Sequence, residues 1–131
     1  IRTFFDNYPG TTAYFQKMYE ELIAGRKLEK VLRNPLTGRV RRFHMRTCDK
    51  LKRIMKATLL QQLESHLLKL ALVRLHSELK VHSTGARIVA AIHDAIWIEA
   101  LEQEADQVRN LMMGVMKTVG RLEVPLAVDL E

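Results

Sequence analysis

The sequence holds a single cysteine, Cys48, among 131 residues. That excludes an internal disulfide framework and fits a reducing compartment. No apolar run reaches the ~18 residues needed to span a bilayer, so no membrane partner is expected. Internal repeats and low-complexity linkers are absent. The chain opens at Ile1 without an initiator methionine or a signal-peptide pattern, so a piece of a longer or processed chain is expected. Apolar residues make up 47%, enough for a core, which excludes wholesale disorder. The length suits one domain or part of one.

Charge is concentrated rather than spread. The chain carries +6 overall. From Arg26 to Lys56 twelve basic residues face only Glu29 and Asp49, a net of +10. From Glu99 to Glu131 seven acidic residues face Arg109, Lys117 and Arg121, a net of −4. A block this basic points to a polyanion, because each neutralised phosphate releases counterions. The bland reading is a solvated basic face.

The hydrophobic pattern gives an α+β chain. Residues 11–24 read as a helix, with Tyr14, Met18 and Leu22 at spacings of four. Gly10 and Thr11 or Thr12 supply start signals, and Gly25 a stop. Asn34-Pro35-Leu36-Thr37-Gly38 is turn chemistry between two short basic runs, an exposed hairpin or loop. Asp49 to about Lys80 is the longest helix: Leu51, Ile54, Leu60, Leu63, Leu67 and Leu70 keep helical spacing, with no proline or glycine inside. Arg53, Ala57, Gln61 and Ser65 step along another side, and His82-Ser83-Thr84-Gly85 ends it. Ala86–Ile92 and Ala95–Ala100 are apolar runs separated by two residues, which is hairpin spacing. Residues 102–119 form a helix with Val108, Leu111, Met112, Val115 and Val119 on its apolar face, capped by Gly120. Residues 122–130 read as a last strand, with Pro125 marking an edge or a start. The expected architecture is a small antiparallel sheet, the 86–100 hairpin plus that strand, packed on the long helix and the 102–119 helix. Leu60, Leu63, Leu67, Val89, Ile96, Ile98, Leu111 and Val115 are expected in the core, with Trp97 leaning inward.

One place breaks local rules. Two-residue hairpin turns favour Asn-Gly or Gly-X, because positive φ is needed. Here the turn is His93-Asp94, between almost wholly apolar flanks. It presents a carboxylate at the apex of a stiff hairpin, which is how a metal ligand is fixed. A hard cation such as Mg²⁺ takes oxygen ligands, usually one or two carboxylates plus substrate phosphates. The alternative is a solvated turn residue. His44, His66, His76 and His82 join no cysteine or carboxylate cluster, so no zinc site is assigned. Cys48 reads as structural, and Met112, Met113 and Met116 as flexible core filler.

Taken in order, the residues resemble the C-terminal part of a family A DNA polymerase, the bacterial DNA polymerase I type. Phe4-Phe5, Tyr8-Pro9-Gly10 and Tyr14 look like its "YF…YPGV…Y" stretch. Thr37-Gly38-Arg39 with Arg41-Arg42 looks like "T-x-x-G-R-x-R". Arg53, Gln61 and Lys69-Leu70-Ala71 fit the long helix patterned "R…N-x-P-x-Q-G-T-A-A-D-x-x-K-x-A". Ile92-His93-Asp94 looks like "V-H-D-E", and Arg121 to Leu126 like the closing "L-x-V-P-L". The match departs at Ala57, Leu59, Gln62, His66 and Ala95, where the family has asparagine, proline, glycine, aspartate and glutamate.

The resemblance implies a palm-like fold, with residues 1–50 in the distal fingers and basic hairpin and 51–131 in the palm. It implies that Asp94 is catalytic, one of two aspartates holding a pair of Mg²⁺ ions in nucleotidyl transfer. His93 would lie against the primer terminus. Gln61 and Arg53 would face the minor groove, where acceptors look nearly alike for every pair. Arg39, Arg41 and Arg42 would contact DNA from the projecting hairpin. The partners implied are primer-template DNA, a deoxynucleoside triphosphate and polymerase chain upstream of Ile1, which would hold the other aspartate and the nucleotide-binding helix. These 131 residues alone are therefore expected to be inactive. A cytoplasmic location, in a bacterial or phage- or plasmid-encoded protein, goes with the resemblance. The competing readings are a non-catalytic polymerase remnant that grips duplex DNA, and a basic α+β domain alike in architecture only.

Overall fold

A computed structural model describes residues 6–24, 29–44, 48–82, 85–120 and 122–130. Phe4 and Phe5, the Gly25 stop, Arg26, Lys27 and Arg46 of the basic block, Ser83, Thr84 and Arg121 lie outside the described residues. The elements run α1 (Pro9–Ile23), β1 (Glu29–Arg33), β2 (Val40–His44), α2 (Asp49–His82), β3 (Arg87–Ile92), β4 (Ala95–Glu99), a 3₁₀ turn (Glu102–Glu104) and α3 (Ala105–Thr118). The α+β class is thus observed. The chain divides into two compact units, residues 1–63 and 64–131.

In the first unit, α1 begins two residues earlier than its start signals suggest. Pro9 sits in the first turn, where its fixed φ suits the helix and its missing N–H costs nothing. Tyr19 and Leu22 are buried, with Phe15 and Met18 packed beside them. Tyr14 turns outward, at 44% exposure, because the inward stripe runs through 15, 18, 19 and 22. The β1–β2 hairpin pairs Glu29 with His44 through to Arg33 with Val40. Leu32 and Phe43 from the hairpin and Leu51, Met55 and Leu59 from α2 complete this core.

A buried side chain organises the hairpin turn and ties it to α2. Asn34 is almost fully buried, at 2% exposure. Its Oδ1 accepts from the backbone N–H of Leu36 (3.0 Å) and of Thr37 (3.2 Å). Its Nδ2 donates to the carbonyl of Leu59 in α2, at 2.9 Å. Gly38 closes the turn at φ +68°, a conformation glycine adopts without penalty, and its N–H returns to the Asn34 carbonyl at 2.8 Å.

In the second unit, Ala71 and Leu75 of α2 are buried with Ile96 and Val115, and Ile88, Ile98, Met112 and Val119 pack around them. Arg74 Nη1 donates to Thr118 Oγ1 at 2.9 Å, and Gln107 Nε2 to the His82 carbonyl at 2.6 Å. Both bonds join α2 to α3.

Four expectations are corrected. Leu60 is 61% exposed, because the buried face of α2 runs through Leu51, Met55, Thr58 and Leu59 and leaves it a third of a turn away. Trp97 is exposed: it lies between Ile96 and Ile98, which point inward, and successive strand residues alternate faces. Val89 is exposed at a register shift between Ile88 and Ala90, since a bulge inserts one unpaired residue. Residues 122–130 form no strand. They keep the alternation, with Leu126, Val128 and Leu130 half-buried, but pair with no strand, and Pro125 offers no N–H to a ladder.

Replacing Asn34 tests the pin. Asn34→Ala leaves the Leu59 carbonyl and two turn N–H groups short of a partner, and is expected to lower the unfolding free energy by about 2–3 kcal/mol. Asn34→Asp keeps the turn acceptor but sets an oxygen against the Leu59 carbonyl, so it should be comparably destabilising. Urea titration of the two variants reads the difference.

Candidate functional site

The β3–β4 hairpin turns through a non-glycine residue in the left-handed region. His93 has φ +55°, positive for a residue with a side chain, and Asp94 follows it at the apex. The two-residue turn arises because β3 and β4 stay in register to Ile92↔Ala95. His93 and Asp94 are both exposed. Among the described residues none bonds or ion-pairs with Asp94. Ile96, two residues on, is buried in the second unit's core. The carboxylate therefore sits in the turn directly before β4, whose Ile96 is locked in that core.

Hard-cation chemistry fits this donor: an exposed carboxylate at a two-residue turn. One carboxylate supplies only part of a coordination shell. Among the described residues no group of three or more His, Cys, Asp or Glu side chains is placed to hold a metal ion.

The basic candidates lie in the first unit. Arg53, Ala57 and Gln61 are exposed along one side of α2, as their four-residue spacing requires. Strand alternation splits the hairpin arginines. Arg41 pairs across from Leu32, on the face turned to α2. Its guanidinium lies 5.3 Å from the Phe43 ring centroid and donates to Thr58 Oγ1 at 3.1 Å. Arg42 pairs with the exposed Val31 on the opposite face. Arg39 sits half-buried in the turn, where its N–H donates to Thr37 Oγ1 at 3.3 Å.

Thr58 and Asn34 link the hairpin to α2, a role no sequence pattern singles out. Their partners lie 17 and 25 residues away, so no local spacing announces them. Gln62, where the resembled family has glycine, has a buried Oε1 with no hydrogen-bond partner among the described residues.

Comparison with known proteins follows the same outline. A family model described as DNA polymerase family A matches residues 1–131. The chain is 32% identical over 136 residues to the thermostable DNA polymerase I of Thermus thermophilus, covering 98% of this chain and 15% of that protein. It is 26% identical over 134 residues to DNA polymerase I of Bacillus caldotenax, again covering 98% of this chain and 15% of the relative. It thus spans about 15% of the length of these relatives. Among solved structures, the POL domain of Pol1 from M. smegmatis, in complex with DNA primer-template and dNTP, aligns with TM-score 0.79 at 20% identity. That alignment covers 94% of this chain and 22% of the other, a likeness of fold.

The φ of His93 makes a testable point. His93→Val, β-branched, should cost about 1–2 kcal/mol through the left-handed conformation alone. His93→Gly should cost nothing or stabilise the hairpin. Thermal melts of the pair give the sign.

Proposed function

This chain belongs to DNA polymerase family A, and from that premise we propose that it forms part of a template-directed polymerase adding deoxynucleotides to a primer 3′ end. The observation that carries the proposal is Asp94: a solvent-facing carboxylate held at the apex of a two-residue turn. Primer-template DNA and a deoxynucleoside triphosphate are the partners proposed, supported by the complex in which the M. smegmatis neighbour was solved. Residues 1–50 are assigned to the distal fingers and basic hairpin, and 51–131 to the palm.

Asp94 is proposed as one ligand of Mg²⁺. When bound, the ion supplies charge stabilisation for in-line attack of the primer 3′-hydroxyl on the α-phosphate and for the departing pyrophosphate. His93, beside it, is proposed to rest against the primer terminus. Arg53 and Gln61 offer donors from one side of α2. Donors suit the minor groove, where every base pair presents similar acceptors, so contacts there check pair shape without reading sequence. Arg39, Arg41 and Arg42 supply positive charge to the phosphate backbone. Because a two-metal clamp needs more ligands than one carboxylate offers, these 131 residues by themselves are proposed not to extend a primer. A cytoplasmic setting accords with the lone cysteine.

A second reading, a non-catalytic remnant that grips duplex DNA, draws support from Ala95 and Ala57, which stand where the family has glutamate and asparagine. Asp94→Ala in the full chain separates the two. The enzyme reading expects primer extension to fall by about a hundredfold or more, with duplex affinity retained. Unchanged extension would remove Asp94 from the chemistry.

The hairpin charges have their own signature. Replacing Arg39 and Arg42 together by alanine should weaken duplex binding uniformly across sequences. It should also flatten the dependence of log affinity on log salt by about 2, roughly 1 for each phosphate no longer neutralised. An unchanged salt slope, measured by fluorescence anisotropy, would exclude the hairpin from the DNA interface.

A further inference from the structure

Within the second unit, α2 turns one side inward and leaves the other in water. Ala71, Leu75 and Leu79 are buried. On the opposite side Leu70, Val73, Ser77 and Val81 follow one another at spacings of three and four, so they form one stripe along the helix. All four are exposed. Val73 stands at 69% and Val81 at 76%, so the stripe is not the edge of the core. It runs about three turns, roughly 16 Å. Valine is a costly choice there: its branched stem lowers helix propensity, and at this exposure burial returns little in exchange.

The stripe is flanked by bases. Lys69, His76 and Lys80 line one edge, and Arg74 stands on the other. Among the described residues none bonds or ion-pairs with the side chains of Lys69, His76 or Lys80. Arg74 reaches to α3, where it donates to Thr118. Glu78 is the one acid from Lys69 to Val81. It is already shared, its carboxylate lying 3.9 Å from Arg74 Nε and 3.3 Å from His82 Nε2.

An apolar stripe with basic edges complements a helix built the other way, with apolar anchors at the same spacing and carboxylates beside them. A nucleic acid would use the lysines and leave the valines in water, so the valines favour a protein helix. Val73 and Val81 also lose little rotamer freedom on contact, because branching at Cβ already restricts χ1.

We propose that the outward stripe of α2 from Leu70 to Val81 is a docking surface for an acidic amphipathic helix of a partner protein. Val73, His76, Lys80 and Val81 belong to none of the family-like motifs, and the surface does not depend on the polymerase reading.

The test uses the full chain and a fluorescein-labelled peptide of about 18 residues, long enough to hold a helix. The peptide carries leucines at spacings of three and four with glutamates beside them; a mirror peptide has lysines in place of the glutamates. The acidic peptide should bind and the basic one should not. Val73→Glu with Val81→Glu should weaken binding about tenfold or more, whereas Val124→Glu, at an exposed valine off the helix, should leave it intact. Lys69→Glu with Lys80→Glu should lose the acidic peptide and gain the basic one, a swap that general loss of structure does not produce. If the glutamate variants do not fold, Lys69→Gln with Lys80→Gln stands as the test, with a loss of about fivefold expected from two exposed charge pairs. Unchanged affinity in any of these stripe or lysine variants, or equal binding of oligoglutamate, would overturn the site. So would a DNA duplex or phosphatidylglycerol vesicles binding through the same lysines while the peptide does not. A dimer that dissociates in the valine variant would assign the stripe to a second copy instead. A lowered melting temperature in that variant, with no peptide bound by the wild type, would mean that the chain covers the stripe itself, and either result overturns the proposal.

Discussion

One uninterrupted helix, α2, supplies buried side chains to the cores of both units. It runs from Asp49 to His82 without proline or glycine. Leu51, Met55 and Leu59 enter the first core, and Ala71 and Leu75 the second. A helix this long with a low overall amphipathic bias does not hold itself by one stripe; its inward face changes partners along its length. Each unit has then only to dock a two-stranded ladder and a helix, because isolated hairpins are marginal in water without such a platform.

That division explains what was legible in the sequence. The long helix is plain because apolar spacing and the absence of breakers agree over many turns, and such consistency across levels is what a foldable segment shows. Both hairpins are legible from their turns. Side-chain direction is harder. Trp97 looks like core by composition, yet Ile96 and Ile98 take the inward positions and leave it outside. Val89 fails for a different reason: a bulge beside it shifts the register, and a bulge has no mark in a run of Ile, Val and Ala. Residues 122–130 show the limit of alternation as a signal, since alternating burial occurs there without a ladder.

The candidate site divides the same way. Asp94 is visible in sequence because it breaks a turn rule, and a broken local rule is where function tends to sit. In the fold it is exposed at the apex of the β3–β4 turn. The arginines of the basic block look equivalent in sequence and are not equivalent in the fold. Pleating turns Arg41 toward Phe43 and Thr58, while Arg42 faces away. Counting charges along a strand therefore overstates how many reach one partner.

Two lysines of α2 are likewise set apart from the rest of the basic block by the rings beneath them. A lysine ammonium is a hydrated charge on a flexible stem, and much of its value to a ligand is lost in ordering that stem. Over a ring, as with Lys52 over Tyr19 and Lys56 over Phe15, the stem is already partly ordered. Such pairs join residues far apart in the chain, so neither the basic block nor the helical pattern of α1 reveals them separately. They emerge only when α2 is laid beside α1, with the hairpin fastened to the same helix by Asn34 and Thr58. If that fastening sets the hairpin and the helix as one body, then loosening Asn34 should reach the basic surface as well as the core. The charges of the hairpin and of α2 would cease to act in fixed register. Duplex binding by the hairpin would then weaken even though Asn34 itself is buried.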